Sequence, residues 1–151
     1  KLSKNFSRIS LLNENTIIAG SGALDKTLSE FALENSLSGF EFLSCIPGSI
    51  GGGIRMNSGC FEREFKDILI SVQAVNRLGE ILTIPAKEIV FDYRSCDLDK
   101  DLIFLSATFK GKVSEKNRIK LAVFKLAANI AAMLVAFAAT VDTSVAFGTS
   151  L

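Results

Sequence analysis

The sequence predicts an α+β fold in which short antiparallel strands carry a helix on one face. Three observations predict it. Short alternating segments are separated by turn-forming clusters, Asn13-Glu14-Asn15 and Asn76-Arg77-Leu78-Gly79-Glu80. One segment repeats at helical spacing instead: Leu24, Leu28, Phe31 and Ala32 fall on a single stripe. Of 151 residues, 48% are hydrophobic and 22% charged, which allows one domain with a real core and is not the composition of a disordered chain.

Taken in order, Ser7 to Leu12 and Thr16 to Ala19 read as strands around the Asn13-Glu14-Asn15 turn. Gly20-Ser21-Gly22 interrupts the chain. The helix follows, with Ser21 or Asp25 available to serve its N-terminus and Gly39 past its end. Phe65 to Leu69 leads into a half-buried strand over Ser71 to Asn76, with Val72 and Ala74 alternating against Gln73 and Val75. Asn76 to Glu80 is a hairpin turn, and Glu80 to Ile84 is the return strand, ended by Pro85. Ala86 to Val90 reads as a short helix. Leu102 to Phe109 reads as a strand closed by Gly111.

Between the first helix and these strands lies the stretch from Phe40 to Cys60, with five glycines: Gly48, Gly51, Gly52, Gly53 and Gly59. Pro47 fixes one backbone angle just before Gly48 frees the next. Ser49 can cap a following turn or helix. A cluster without Cβ atoms lets the backbone approach a ligand and aim several N–H groups at it, the geometry that binds phosphate or diphosphate. The same composition suits a tight turn with close backbone packing, and composition alone does not choose between the two.

Other features exclude function classes. Seventeen basic and 16 acidic residues give a net charge of +1, which argues for no nucleic-acid partner. There is no histidine, so the commonest general base and metal ligand is missing. Cys45, Cys60 and Cys96 are widely spaced with no Cys-x-x-Cys pair, so no metal site is expected, and they read as reduced thiols of a cytoplasmic protein. Lys1 to Ser10 is polar and carries no signal-peptide pattern.

The order Phe42-Leu43-x-x-Ile46-Pro47-Gly48-Ser49-Ile50-Gly51-Gly52, followed by Met56-Asn57-x-Gly59, resembles the flavin-binding segment of the UDP-N-acetylenolpyruvoylglucosamine reductase (MurB) family. The resemblance runs from about Ile17 to about Gly111. It implies an FAD-binding domain of the PCMH-like class, NADPH as electron donor and a UDP-sugar substrate. The implied process is peptidoglycan synthesis, and with it cell-wall biogenesis, cell shape and cell division. Carried over by position, Ile46, Pro47, Gly48, Ser49, Gly51, Gly52, Asn57 and Gly59 are cofactor-binding, Tyr93 is substrate-binding and Arg94 is catalytic. In the family this arginine contacts the enolpyruvyl carboxylate and stabilises the enolate. A guanidinium, always charged and able to bind a carboxylate through two parallel hydrogen bonds, suits that role. The plainer reading is a surface arginine paired with Asp92 or Asp97.

The resemblance also sets expectations of absence. Residues 1–111 look like the second part of the flavin domain, without the family's Gly-x-Gly-Ser-Asn loop of the first lobe. The family's proton-donating serine and C-terminal glutamate are not found, and Phe147-Gly148-Thr149-Ser150 matches the serine motif poorly. Residues 112–151 look like an unrelated apolar, alanine-rich helical tail. Leu126 to Val141 is a 16-residue run without charge, short of the about 20 residues that span a bilayer. A buried or self-associating helix is favoured over a membrane segment, with a frame-changed tail as a third reading. The chain is therefore expected to be inactive alone. The rivals are another FAD-dependent oxidoreductase of the same domain class, and a non-catalytic remnant or association module.

Overall fold

A computed structural model describes residues 4–146, and the side chains of residues 5–138. The Phe147-Gly148-Thr149-Ser150 segment lies outside the described residues.

The first hairpin pairs β1 (Ile9–Asn13) with β2 (Thr16–Gly20). The predicted start at Ser7 is displaced because Lys4–Ser7 is a helical turn. Gly20 must lack a side chain here: a Cβ would sit 2.1 Å from the carbonyl oxygen of Phe6. The second hairpin pairs β6 (Leu69–Val75) with β7 (Ile81–Pro85). Its turn follows from Asn76, whose Oδ1 accepts the N–H groups of Leu78 at 2.9 Å and Glu80 at 3.0 Å. Gly79 takes the left-handed position at φ +82°.

A strand from far along the chain, β10 (Ile103–Lys110), enters between the hairpins and pairs with β2 and β6. The result is a five-stranded antiparallel sheet in the order β1-β2-β10-β6-β7. The α+β expectation holds, with helices over one face.

Helix α1 (Asp25–Glu34) buries Leu28 and Ala32 completely. Two details differ from the sequence reading. Leu24 is 59% exposed, because it is the extended residue before the helix and not part of its stripe. Ser21 does not cap: its hydroxyl donates to the carbonyl of Phe104 at 2.6 Å, tying the turn to the sheet. The helix ends at Asn35 and Ser36, the latter at φ +59°, before the chain reaches Gly39.

Four rings, Phe40, Phe42, Phe65 and Phe109, form the centre of the core in edge-to-face contacts with centroids 6.0–6.5 Å apart. Short helix α2 (Ile50–Arg55) lies against this cluster. Gly53 is the point of contact: a Cβ would stand 2.3 Å from Phe65 Cε2. Gly53→Ala is expected to lower the thermal midpoint by about 3–10 °C, the usual consequence of overpacking a core at this chain size. An unchanged melting curve would show that the ring moves freely.

The expected boundary at residue 111 falls between β10 and β11 (Lys112–Val113). Strand β11 pairs with β3 (Leu37–Ser38), beside the C-terminus of α1. Beyond it runs α3 (Lys116–Ala146), which buries Ile119, half-buries Ala122, Val123, Leu126 and Ile130, and is exposed over residues 131–138. Phe124, Leu134, Val135 and Phe137 are each more than 60% exposed, so the expectation of a buried helix does not hold within this chain. Over Lys116–Ala138 the helix is long and apolar enough, by length and composition, to cross a membrane.

Candidate functional site

The glycine-rich segment leaves the helical turn Glu41–Cys45, passes Ile46 and Pro47 in extended form, and enters α2. Ser49 holds the N-cap position (φ −114°, ψ 154°), but its side chain makes no capping bond; its carbonyl accepts the Gly53 N–H at 2.8 Å. The N–H groups do not all behave as the sequence suggests. Ile50 donates to the Ala23 carbonyl at 2.9 Å and Gly51 to the Ser21 carbonyl at 2.8 Å. Gly51 is therefore a packing residue, and a Cβ on it would press on Ser21 at 3.2 Å. The N–H groups of Gly48, Ser49 and Gly52 find no protein acceptor among the described residues. A Cβ on Gly52 would meet only Ser49 Oγ, at 3.5 Å. Three free donors around an open glycine fit the phosphate chemistry of a dinucleotide cofactor.

A cleft of about 600 Å³ opens beside this segment. Its walls bring together Ile46, Pro47, Asn57, Gly59, Tyr93 and Arg94, six of the residues singled out from sequence. Gly48 faces a neighbouring hollow of about 630 Å³ with Leu24 and Lys26, and Ile46 and Pro47 border both. Ser49, Gly51 and Gly52 line neither.

Tyr93 and Arg94 form the tip of a tight hairpin between β8 (Phe91–Asp92) and β9 (Ser95–Cys96). The tip is exposed; Tyr93 is 80% accessible. Arg94 has φ +52°, a left-handed position that favours glycine or asparagine. Its guanidinium lies 5.7 Å from the centre of the Tyr93 ring. Neither Asp92 nor Asp97 holds it. Asp92 Oδ1 accepts the Tyr93 N–H at 2.6 Å, and Asp97 Oδ1 accepts the Val90 N–H at 2.9 Å. Among the described residues Arg94 forms no ion pair, and it lines the cleft.

Asn57 proves to be a hub. It is 3% exposed, with φ +39°. Its Nδ2 donates to Glu64 Oε2 at 3.1 Å and to the Asp92 carbonyl at 3.4 Å, and its Oδ1 accepts the Lys66 N–H at 3.2 Å. One side chain thus ties the glycine-rich segment to the β8–β9 hairpin and to the hairpin of β4 (Gly59–Cys60) and β5 (Arg63–Glu64). Its polar side-chain atoms are taken up by bonds within the protein, one of them to the strand that leads into the Tyr93–Arg94 tip. Lys66, and then Asn57, hold the Glu64 carboxyl below the usual range. Burial, with the Cys45 thiol beside it, pushes the Cys60 thiol up.

Two further residues escaped the sequence reading. Arg55 donates to the carbonyls of Leu98 (2.8 Å), Asp99 (3.0 Å) and Leu102 (2.9 Å) while lying 4.3 Å from the Phe104 ring centre. It clamps the loop that leads into β10. Asp25, read as a helix-terminal residue, is wholly buried beneath Gly48, and neither carboxylate oxygen has a hydrogen-bond partner. Nothing local in the sequence signals either role. Among the described residues no group of side chains suits a metal ion.

Residues 1–85 match a family model described as the FAD binding domain. The chain is similar to the UDP-N-acetylenolpyruvoylglucosamine reductase of Pelagibacter ubique, 59% identical over 126 residues, which is 83% of this chain and 42% of that protein. The enzyme of the same name from Rickettsia felis is 46% identical over 121 residues, 80% of this chain and 41% of that protein. Among solved structures, the UDP-N-acetylenolpyruvylglucosamine reductase (MurB) of Thermus caldophilus superposes with a TM-score of 0.75 at 27% identity, covering 83% of this chain and 45% of that one. The chain thus spans less than half the length of the relatives it matches.

Proposed function

Because the chain belongs to the FAD-binding domain family, we propose that it is the FAD-binding part of a cytoplasmic UDP-N-acetylenolpyruvoylglucosamine reductase that takes its electrons from NADPH. The observation that carries this reading is the single cleft shared by the Ile46–Gly59 segment and the Tyr93–Arg94 hairpin, which are far apart in sequence. FAD, when bound, supplies the hydride chemistry.

The chain's own residues bind and orient. The free N–H groups of Gly48, Ser49 and Gly52 suit the cofactor's diphosphate oxygens. The Ile46–Pro47 ridge gives a rigid apolar wall between the two hollows. Tyr93 and Arg94 line the same cleft as that wall. Arg94 suits the carboxylate of an enolpyruvyl group, through two parallel hydrogen bonds, and its charge opposes the negative charge that develops on that group. The left-handed backbone of Arg94 supports this reading, because a strained position filled by a charged residue is a recurrent feature of functional sites.

The test is FAD binding followed by flavin fluorescence. Gly52→Val is expected to weaken binding at least about ten-fold by closing the backbone approach, with no loss of thermal stability. Gly51→Val does not discriminate, since its side chain strikes Ser21 whether or not FAD binds. Full FAD affinity in Gly52→Val would remove the diphosphate from this loop.

A further inference from the structure

We propose that Cys45 and Cys60 are a dithiol–disulfide site that reversibly closes the glycine-rich segment into a covalent ring. Both thiols are free and partly exposed, and both line the cleft that Tyr93 and Arg94 also line. The helical turn that Cys45 closes packs against β4, which carries Cys60, so the fold sets the two side chains on adjoining segments of one wall. They stand at the two ends of residues 46–59, so a bond between them would enclose Pro47, the whole of α2 and Asn57.

Both ends are anchored. Cys45 closes a helical turn whose Phe42 and Leu43 are buried in the core. Cys60 packs against the same core and is held by the pairing of β4 with β5, opposite Arg63. Spacing alone did not suggest the pair, since the fold, and not a Cys-x-x-Cys motif, brings the two thiols together.

The oxidant is a low-molecular-weight disulfide such as oxidised glutathione. Cys45 attacks first, because burial and its neighbour hold Cys60 protonated. Ser44 Oγ, 3.5 Å from Cys45 Sγ, can donate to the thiolate. That thiolate displaces one glutathione thiolate and forms a mixed disulfide. Cys60 then gives its proton to solvent, attacks the Cys45 sulfur and expels the second glutathione thiolate. Two protein thiols are oxidised and one glutathione disulfide becomes two thiols. Excess reductant runs the exchange backwards.

Cysteine chemistry of this kind is independent of the flavin reading and is tested without it. The three cysteines fall in separate tryptic peptides, 27–55, 56–63 and 95–100. The full chain is incubated with oxidised glutathione, alkylated with iodoacetamide, digested without reduction and weighed by mass spectrometry. The expected product is peptide 27–55 joined to peptide 56–63, from protein that runs as a monomer on a non-reducing gel. It is expected to vanish with dithiothreitol and in Cys45→Ser and Cys60→Ser, and to persist in Cys96→Ser. Separate glutathione adducts without the joined peptide would overturn the proposal. So would a bridge through Cys96, or a Cys45–Cys60 bridge found only in covalent dimers.

Discussion

Replacing Arg94 with alanine in a full-length reductase carrying this segment is expected to lower kcat about 10²–10³-fold, while reduction of the flavin by NADPH keeps its rate. The expectation rests on where the charge stands. Arg94 has no carboxylate partner among the described residues, and it lines the same cleft as Ile46 and Pro47. A charge that acts on an enolate affects only the half-reaction in which the enolate forms. Arg94→Lys keeps a point charge but loses the two-pronged geometry, so it should fall between wild type and alanine. Arg94→Gly separates chemistry from fold: glycine relaxes the φ +52° position, so stability should hold or rise while turnover is lost. Stopped-flow measurement of the two half-reactions is the check. Equal loss in both would make Arg94 structural.

The strands were legible because their signals are local. Thr16–Gly20 and Ile81–Pro85 lie within a residue of their expected bounds, each flanked by turn residues that satisfy their own backbone. The order of the sheet was not legible: β10 enters between β2 and β6 across most of the chain, and nothing near Ile103 announces its neighbours. Among the glycines, sequence could not separate Gly51 and Gly53, which make room for Ser21 and Phe65, from Gly52, which faces open space. Asn57 was marked by resemblance for the cofactor, but its hydrogen bonds go to three protein segments. The apolar run after Lys125 lies within α3. Whether that helix is covered depends on packing, which periodicity cannot see.

Asp25→Asn is expected to flatten the pH dependence of stability and to stabilise the chain above neutral pH. Asp25 opens α1, where the positive end of a helix ordinarily favours a carboxylate anion. Here desolvation wins. The side chain is 0% exposed, no donor reaches either oxygen, and burial raises its pKa from 3.8 to about 7. The sign follows from proton counts. Between these two values the folded state keeps a proton that the unfolded state releases, so stability falls as pH rises. The contribution is fully present below pH 3.8 and is lost as pH passes through about 7. At about 1.4 kcal/mol per unit, the loss has an upper bound of about 4 kcal/mol, and solvent entry will reduce it. Asparagine has nearly the same shape and cannot ionise, so the two proteins should agree within about 1 kcal/mol at pH 4.5. They should diverge by about 2–4 kcal/mol at pH 8, with the variant the more stable. Urea unfolding of both proteins at the two pH values measures the difference. Parallel pH profiles would mean that Asp25 finds a partner or water in solution, and that its burial carries no cost.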